Sequence, residues 1–112
     1  MRRNRILGGV VFGVVAGFGI GLYASEPHPS DTFLQYCAKC HGEDGKAQTP
    51  KGKQMKAQNF TDEEWQQKQT DQELIKIVTK GGMDMPAFGK KLSQEQIESL
   101  VKNDVRGFGR KK

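Results

Sequence analysis

Cysteine is scarce in this chain. Its 112 residues hold two, Cys37 and Cys40, with only two residues between them. No third thiol exists to pair with either one, and a disulfide between two cysteines of one helical turn is sterically poor. Histidine is equally scarce, with His28 and His41 alone. A structural zinc site takes four ligands, commonly from two ligand pairs, so zinc lacks a ligand set here. No stretch alternates apolar and polar residues as a strand does, so the βαβ setting of a thioredoxin-like dithiol is missing. No basic stripe interleaved with aromatics appears, which removes support for nucleic-acid binding. Large apolar side chains are also few after Ser25, and a domain that small and polar needs a disulfide, a metal or a cofactor to complete its core.

One long apolar run is present. Residues 6–24, ILGGVVFGVVAGFGIGLYA, follow the basic start MRRNR. Nineteen residues match a membrane-spanning helix of about 17–25 better than the apolar part of a secretory signal, about 7–15. Cleavage after Ala24 or Ser25 would put Leu22 or Tyr23 where a small residue belongs. Gly9, Gly13, Gly17 and Gly21 recur every fourth residue, the spacing of a close helix–helix approach. Residues 1–25 therefore read as a transmembrane anchor or a removed signal peptide. In both cases the preceding arginines keep the start of the chain in the cytoplasm and deliver the remainder to the periplasmic side of a bacterial inner membrane. The remainder is anchored there, or soluble if residues 1–24 or 1–25 are removed. Residues 26–30 form a proline-stiffened linker that includes His28, a weak ligand candidate, and 31–112 form the domain. The charge of +5 belongs mostly to the two ends: residues 26–105 carry 11 basic against 13 acidic residues, a net of −2.

The domain reads as all-α, with about three to five helices. Ser30 or Asp31 caps a helix through TFLQYCAKC that ends near Gly42. Residues 42–59 read as a long polar loop, a length that is uncommon unless it wraps something. In FTDEEW, Thr61 is the expected cap with Glu64 as its box partner, and Phe60 and Trp65 the staple. Thr70 with Glu73 opens the next helix, whose stripe is Leu74, Ile75 and Val78 and whose stop is Gly81–Gly82. Ser93 with Gln96 opens the last, stapled by Leu92 and Ile97 and continued by Leu100, Val101, Val105 and Phe108.

With the other uses of the thiol pair removed, C-x-x-C-H over Cys37, Cys40 and His41 reads as the attachment motif of a c-type haem. Two thiols a helical turn apart each add to a haem vinyl group, and the imidazole that follows meets the iron. Such a cofactor also supplies the missing core. An iron held by histidine on one side takes a ligand on the other. GGMDMPAFGKKL, residues 81–92, offers Met83 and Met85 on a loop between helices.

CAKCHGEDGK, FTDEEW, MPAFGKKLSQEQIESLV and VRGF, together with Phe33 four residues before the first cysteine, resemble the class I monohaem cytochromes c. The resemblance spans residues 30–108. It implies one covalently bound haem c per chain, with Cys37 and Cys40 as its thioethers, His41 as proximal iron ligand and Met85, of the M-P-x-F motif, as distal ligand ahead of Met83. It also implies single-electron transfer between respiratory or photosynthetic redox proteins. The chain would be an electron carrier rather than an enzyme, with no small-molecule substrate. The alternative is a membrane-anchored haem subunit held in a larger oxidoreductase complex. Lys39, Lys46, Lys51, Lys53, Lys56, Lys90 and Lys91 are candidates to ring the haem edge and steer an acidic partner. Two positions depart from the family's habit. Gln58 stands where a proline often precedes the Asn59 position, which leaves open which carbonyl orients His41, with Pro50 the other candidate. Polar Asn103 and Asp104 stand where the last helix usually packs an aromatic on the first, leaving Phe108 as a substitute.

Overall fold

Ser30 heads the first helix of the computed structural model, which describes residues 29–110. The apolar segment 6–24, its glycine ladder, His28 and most of the 26–30 linker lie outside those residues. Ser30 caps α1 (Asp31–Tyr36), its Oγ accepting from the Phe33 amide at 3.2 Å. The expected single helix through Cys40 is interrupted at Cys37, whose φ of −118° departs from helical values, and α2 (Ala38–His41) follows. Gly42 ends α2 at φ +82°, as its position in the sequence implies.

The long polar loop contains a helix. In α3 (Pro50–Met55), Thr49 caps by accepting from the Gly52 amide at 2.9 Å, and Pro50 occupies the first turn, where a missing N–H costs nothing. The Thr49 hydroxyl donates to the Lys39 carbonyl at 2.6 Å, so the residue that starts α3 also satisfies a carbonyl at the end of α2. Periodicity does not reveal this helix, because its only buried residue is Gly52. A Cβ there would collide with the Cys40 carbonyl oxygen and lie 2.9 Å from that of Ala47. Glycine is what lets α3 lie directly on the attachment segment.

The cap of α4 (Glu63–Lys68) is one residue later than expected. Asn59 takes both the amide and the hydroxyl of Thr61, at 2.8 and 2.6 Å, and Asp62 caps instead, accepting from the Trp65 amide at 3.2 Å. Phe60 and Trp65 still meet, with ring centroids 5.6 Å apart. Glu64 pairs with Lys68 at 3.4 Å on the exposed face. Two of the three expected capping boxes form: Thr70 with Glu73 on α5 (Asp71–Lys80), and Ser93 with Gln96 on α6 (Gln94–Ser99). A π-helical segment, Leu100–Val105, and α7 (Arg106–Arg110) continue α6 without a break. The described residues thus hold six contiguous helical runs against the three to five expected, the additions being α3 and the division of the first helix at Cys37, and no strand beyond an isolated bridge between Gly82 and Met85.

These helices enclose one apolar core. It joins Phe33, Phe60, Leu74, Val78, Phe88, Leu92, Ile97, Leu100, Val101, Val105 and Phe108. Phe33 meets Phe108 at 5.2 Å between centroids, so Phe108 makes the contact between first and last helices that no aromatic at residue 103 or 104 supplies. Asp104 adds a polar version of it, accepting from the Ser30 amide and hydroxyl at 2.9 and 2.7 Å. Arg106 fastens the last helix to the α4–α5 corner. Its guanidinium donates to Asp71 at 2.8 Å, to the carbonyl and side chain of Gln66 at 2.8 and 2.9 Å, and to the Gln69 carbonyl.

Gly52→Ala should lower unfolding stability by about 1–3 kcal/mol, the usual cost of overpacking a filled contact. Gly82→Ala, whose new methyl would meet nothing within 4 Å, should leave it unchanged. Guanidinium unfolding of the two variants checks this, and equal stabilities would contradict the close packing of α3 on α2.

Candidate functional site

Two helices, a short connector and a loop bound one cleft. Tyr36, Cys37, Cys40 and His41 form one wall, residues 55–58 a second, and residues 82–86 with Phe88 the third, around a cavity of about 260 Å³. All five residues nominated from sequence, Cys37, Cys40, His41, Met83 and Met85, line it. His28, the remaining histidine, lies outside the described residues. Pattern reasoning did not single out Tyr36, Met55 or Ala57 as lining, and named Lys56 only as a candidate for the haem edge. They carry no motif of their own: Tyr36 ends α1 beside Cys37, and the others stand where the end of α3 turns the chain toward the cleft.

His41 is held from two sides. Its Nδ1 lies 3.0 Å from the Gln58 carbonyl oxygen, and its ring stacks on Phe60 with centroids 4.3 Å apart and planes 18° apart. A carbonyl can only accept, so Nδ1 carries the proton and Nε2 keeps its lone pair. Nε2 has no hydrogen-bond partner among the described residues. Gln58, not Pro50, is therefore the source of the orienting carbonyl, and a backbone group serves as well from glutamine as from proline. Burial pushes the imidazole below its ordinary value of 6.5, with the Gln58 bond opposing. The neutral ring is the form that prevails at pH 7.

The two cysteines are free and half-buried. The Cys37 thiol is pushed up to about 12, first by burial and then by the negative charge of Asp104 and by Cys40. Among the described residues no three His, Cys, Asp or Glu side chains converge as a metal cluster would require.

The two methionines differ sharply in setting. Met85 is half-buried against the core, and its backbone pairs with Gly82 through bonds of 3.1 and 2.8 Å. Met83 sits between them at the tip of this turn, with φ +51° and its side chain fully exposed. The loop is tied back to α5 by the amides of Phe88 and Gly89, which donate to the Val78 and Thr79 carbonyls at 2.9 and 3.0 Å. Gly81 allows the return, since a Cβ there would lie 2.8 Å from the Met85 carbonyl oxygen. The donor set suits a c-type haem: two thiols for the vinyl groups, one imidazole nitrogen with a bare lone pair, and a thioether sulfur, around a mostly apolar cleft. Lys56 lines the cleft, and Lys91 lies 5.7 Å from the centre of the Phe88 ring. The other lysines of the expected ring are exposed.

The lowered His41 value fixes a pH dependence. Below 6.5 an unfolded chain gains a proton that the folded one refuses, so the contribution is lost as pH falls from 6.5 through the lowered folded value. Urea unfolding of the haem-free chain should show lower stability at pH 5.5 than at pH 7.5. Equal or greater stability at pH 5.5 would contradict a buried neutral imidazole.

Comparison with known proteins agrees with this geometry. Residues 25–102 match the family described as cytochrome c oxidase, cbb3-type, subunit III. The cbb3-type cytochrome c oxidase subunit FixP of Azorhizobium caulinodans is 33% identical over 73 residues, which cover 64% of this chain and 24% of that protein. This chain therefore corresponds to about a quarter of that relative's length. Among solved structures, the KustC0563 c-type cytochrome is 40% identical with a TM-score of 0.65, over 69% of this chain and 92% of that one. A point mutant of the same cytochrome is 41% identical with a TM-score of 0.63, over 69% and 93%. An all-α fold, a C-x-x-C-H segment lining an apolar cleft, and relatives that match the domain almost end to end place this chain in the cbb3-type subunit III family of c-type cytochromes, whose work is electron transfer through covalently bound haem.

Proposed function

We propose that the domain carries single electrons with one haem c, joined to Cys37 and Cys40 and held between His41 and Met85. The observation that carries this reading is the paired setting of His41: Nδ1 is committed to the Gln58 carbonyl, which leaves Nε2 as the nitrogen available in the cleft. When bound, the haem supplies a one-electron couple and no substrate bond changes. The chain's residues do the rest. Cys37 and Cys40 fix the position of the group, Gln58 and Phe60 fix the plane of the imidazole, and the half-buried Met85 side chain supplies the thioether. With haem bound, a thioether ligand from Met85 together with the His41 imidazole would raise the potential and leave small ligands no open position. Met83, standing in solvent at the turn tip, lacks the packing that would hold a ligand in place.

The partners are redox proteins at the periplasmic side of a bacterial inner membrane, with residues 6–24 as the membrane-directed segment. Among the described residues no helix is long and apolar enough to cross a membrane. A second reading, a haem subunit held permanently in a larger oxidoreductase complex, is favoured by the match to an oxidase subunit family.

Intact mass of the natively expressed protein tests the first part. The expected value is the chain plus one haem. Recovery of the full-length mass from membranes, in a complex that survives mild detergent, would favour the subunit reading, and a shortened soluble form the free carrier. A mass without haem would sink both. Met85→Ala should abolish the methionine–iron charge-transfer band of the oxidised protein, lower its potential and admit carbon monoxide to the reduced form. Met83→Ala should retain the band. The reverse pattern would move the distal ligand to Met83.

A further inference from the structure

The plane of the His41 ring is fixed no better than the carbonyl that holds it, and that carbonyl belongs to a peptide group with freedom to rotate. The chain is anchored on either side of it. The Ala57 amide donates to the Gly52 carbonyl at 2.9 Å, and the Phe60 amide to the Gly45 carbonyl at 2.7 Å. Between these anchors lies the peptide that joins Gln58 to Asn59. Two soft dihedrals set its orientation, ψ of Gln58 and φ of Asn59. Rotation of that plane would carry the oxygen away from His41 and leave both anchors in place. The Gln58 side chain opposes it. Its Nε2 donates to the Asn59 carbonyl at 3.0 Å, so the side chain bridges the peptide whose oxygen accepts from His41 Nδ1 at 3.0 Å. The closed loop of atoms contains both soft dihedrals. Only the nitrogen end of an amide can face a carbonyl, so the bond has one sense. Asn59 is held from the far side as well. Its carbonyl accepts from the Asp62 amide at 3.3 Å, and its Oδ1 takes the Thr61 amide and hydroxyl at 2.8 and 2.6 Å. Gln58 is half-buried and lines the cleft.

We propose that the Gln58 side chain is a positioning group for the iron ligand: bound to the Asn59 carbonyl, it locks the 58–59 peptide so that the Gln58 oxygen stays on His41 Nδ1. This deepens the haem reading above and rests on His41 as the ligand. Any residue at this position supplies a carbonyl. The lock asks for more, a side-chain donor with the reach to span one peptide group, which glutamine has and leucine of similar size lacks. With the acceptor locked, the imidazole keeps its tautomer and its plane, and Nε2 faces the cleft in one direction.

Proton NMR of the reduced, haem-loaded protein tests this through the His41 Nδ1 proton. Gln58→Leu keeps the bulk of the side chain and the backbone carbonyl but loses the donor. Exchange of the Nδ1 proton with solvent should quicken several-fold, up to about tenfold, the factor that one hydrogen bond of ordinary net strength is worth. The Ile97 amide is the reference: it donates to the Ser93 carbonyl at 3.0 Å, on a residue 1% exposed. Its exchange reports opening of the core and should stay within about twofold of the parent rate. An unchanged Nδ1 rate would overturn the proposal. So would equal acceleration at both protons, which would make Gln58 a contributor to overall stability alone. Should Gln58→Leu take up no haem, Gln58→Glu decides. Its ionised carboxylate has the same reach and nothing to donate, so the Nδ1 proton should again exchange several-fold faster while Ile97 does not, and parent-like exchange would overturn the lock. Parent protein that carries no haem would overturn the ligand role of His41 and the proposal with it, an outcome separate from a loaded protein whose Nδ1 exchange ignores residue 58.

Discussion

The hydrogen bond between His41 Nδ1 and the Gln58 carbonyl is the constraint on which the arrangement of the site depends. It decides the tautomer, and with it which nitrogen is left to act. It also sets a demand on the backbone. The carbonyl comes from 17 residues down the chain, so everything between must fold back to deliver it. The turn at Gly42–Gly45, the helix α3 and the reversal at Lys56, with φ +57°, make up that return path. Phe60, two residues past Gln58, then reaches the face of the same imidazole. One short segment thus holds the ring by an edge and by a face.

Polar groups hold this small domain together at points where apolar surface is too scarce. Arg106 draws in carbonyls at the ends of α4, while Gln66 donates to the Phe60 and Val105 carbonyls at 2.8 Å each. Buried backbone groups left by short helices find partners in these two side chains, which would otherwise be a net cost. Asp104 serves the other flank of the last helix, at the start of α1. That helix is therefore fixed to two sides of the fold by side chains two positions apart, with the Phe33–Phe108 contact beside them. A domain of short helices with a rigid cleft is the consequence.

Rigidity matters for the proposed chemistry because electron transfer moves charge without moving atoms far. The site residues are carried on elements tied to their neighbours: α2 through Thr49 and Gly52, the methionine loop through Phe88 and Gly89. Met83 is the exception, a non-glycine residue at positive φ with its side chain in solvent. The loop keeps one methionine against the core and presents the other to the outside.

The sequence by itself determined the helical class, two of the three capping boxes, the core stripe of the last helix and the segments that border the cleft. These rest on local chemistry: a serine or threonine three residues before glutamate or glutamine, apolar spacing of a helical turn, and a C-x-x-C-H that has few other uses. The tertiary structure alone decided the rest. Only the fold shows that Gln58 supplies the carbonyl, because any backbone could. Only packing reveals α3, whose buried residue is a glycine without a side chain to read. The shift of the α4 cap from Thr61 to Asp62 came from Asn59 capturing the threonine, a competition between two short polar side chains that sequence spacing does not resolve. Asp104 stands where the resemblance led one to expect an aromatic. Its partner, Ser30, lies 74 residues away, and no local pattern links two groups at that distance.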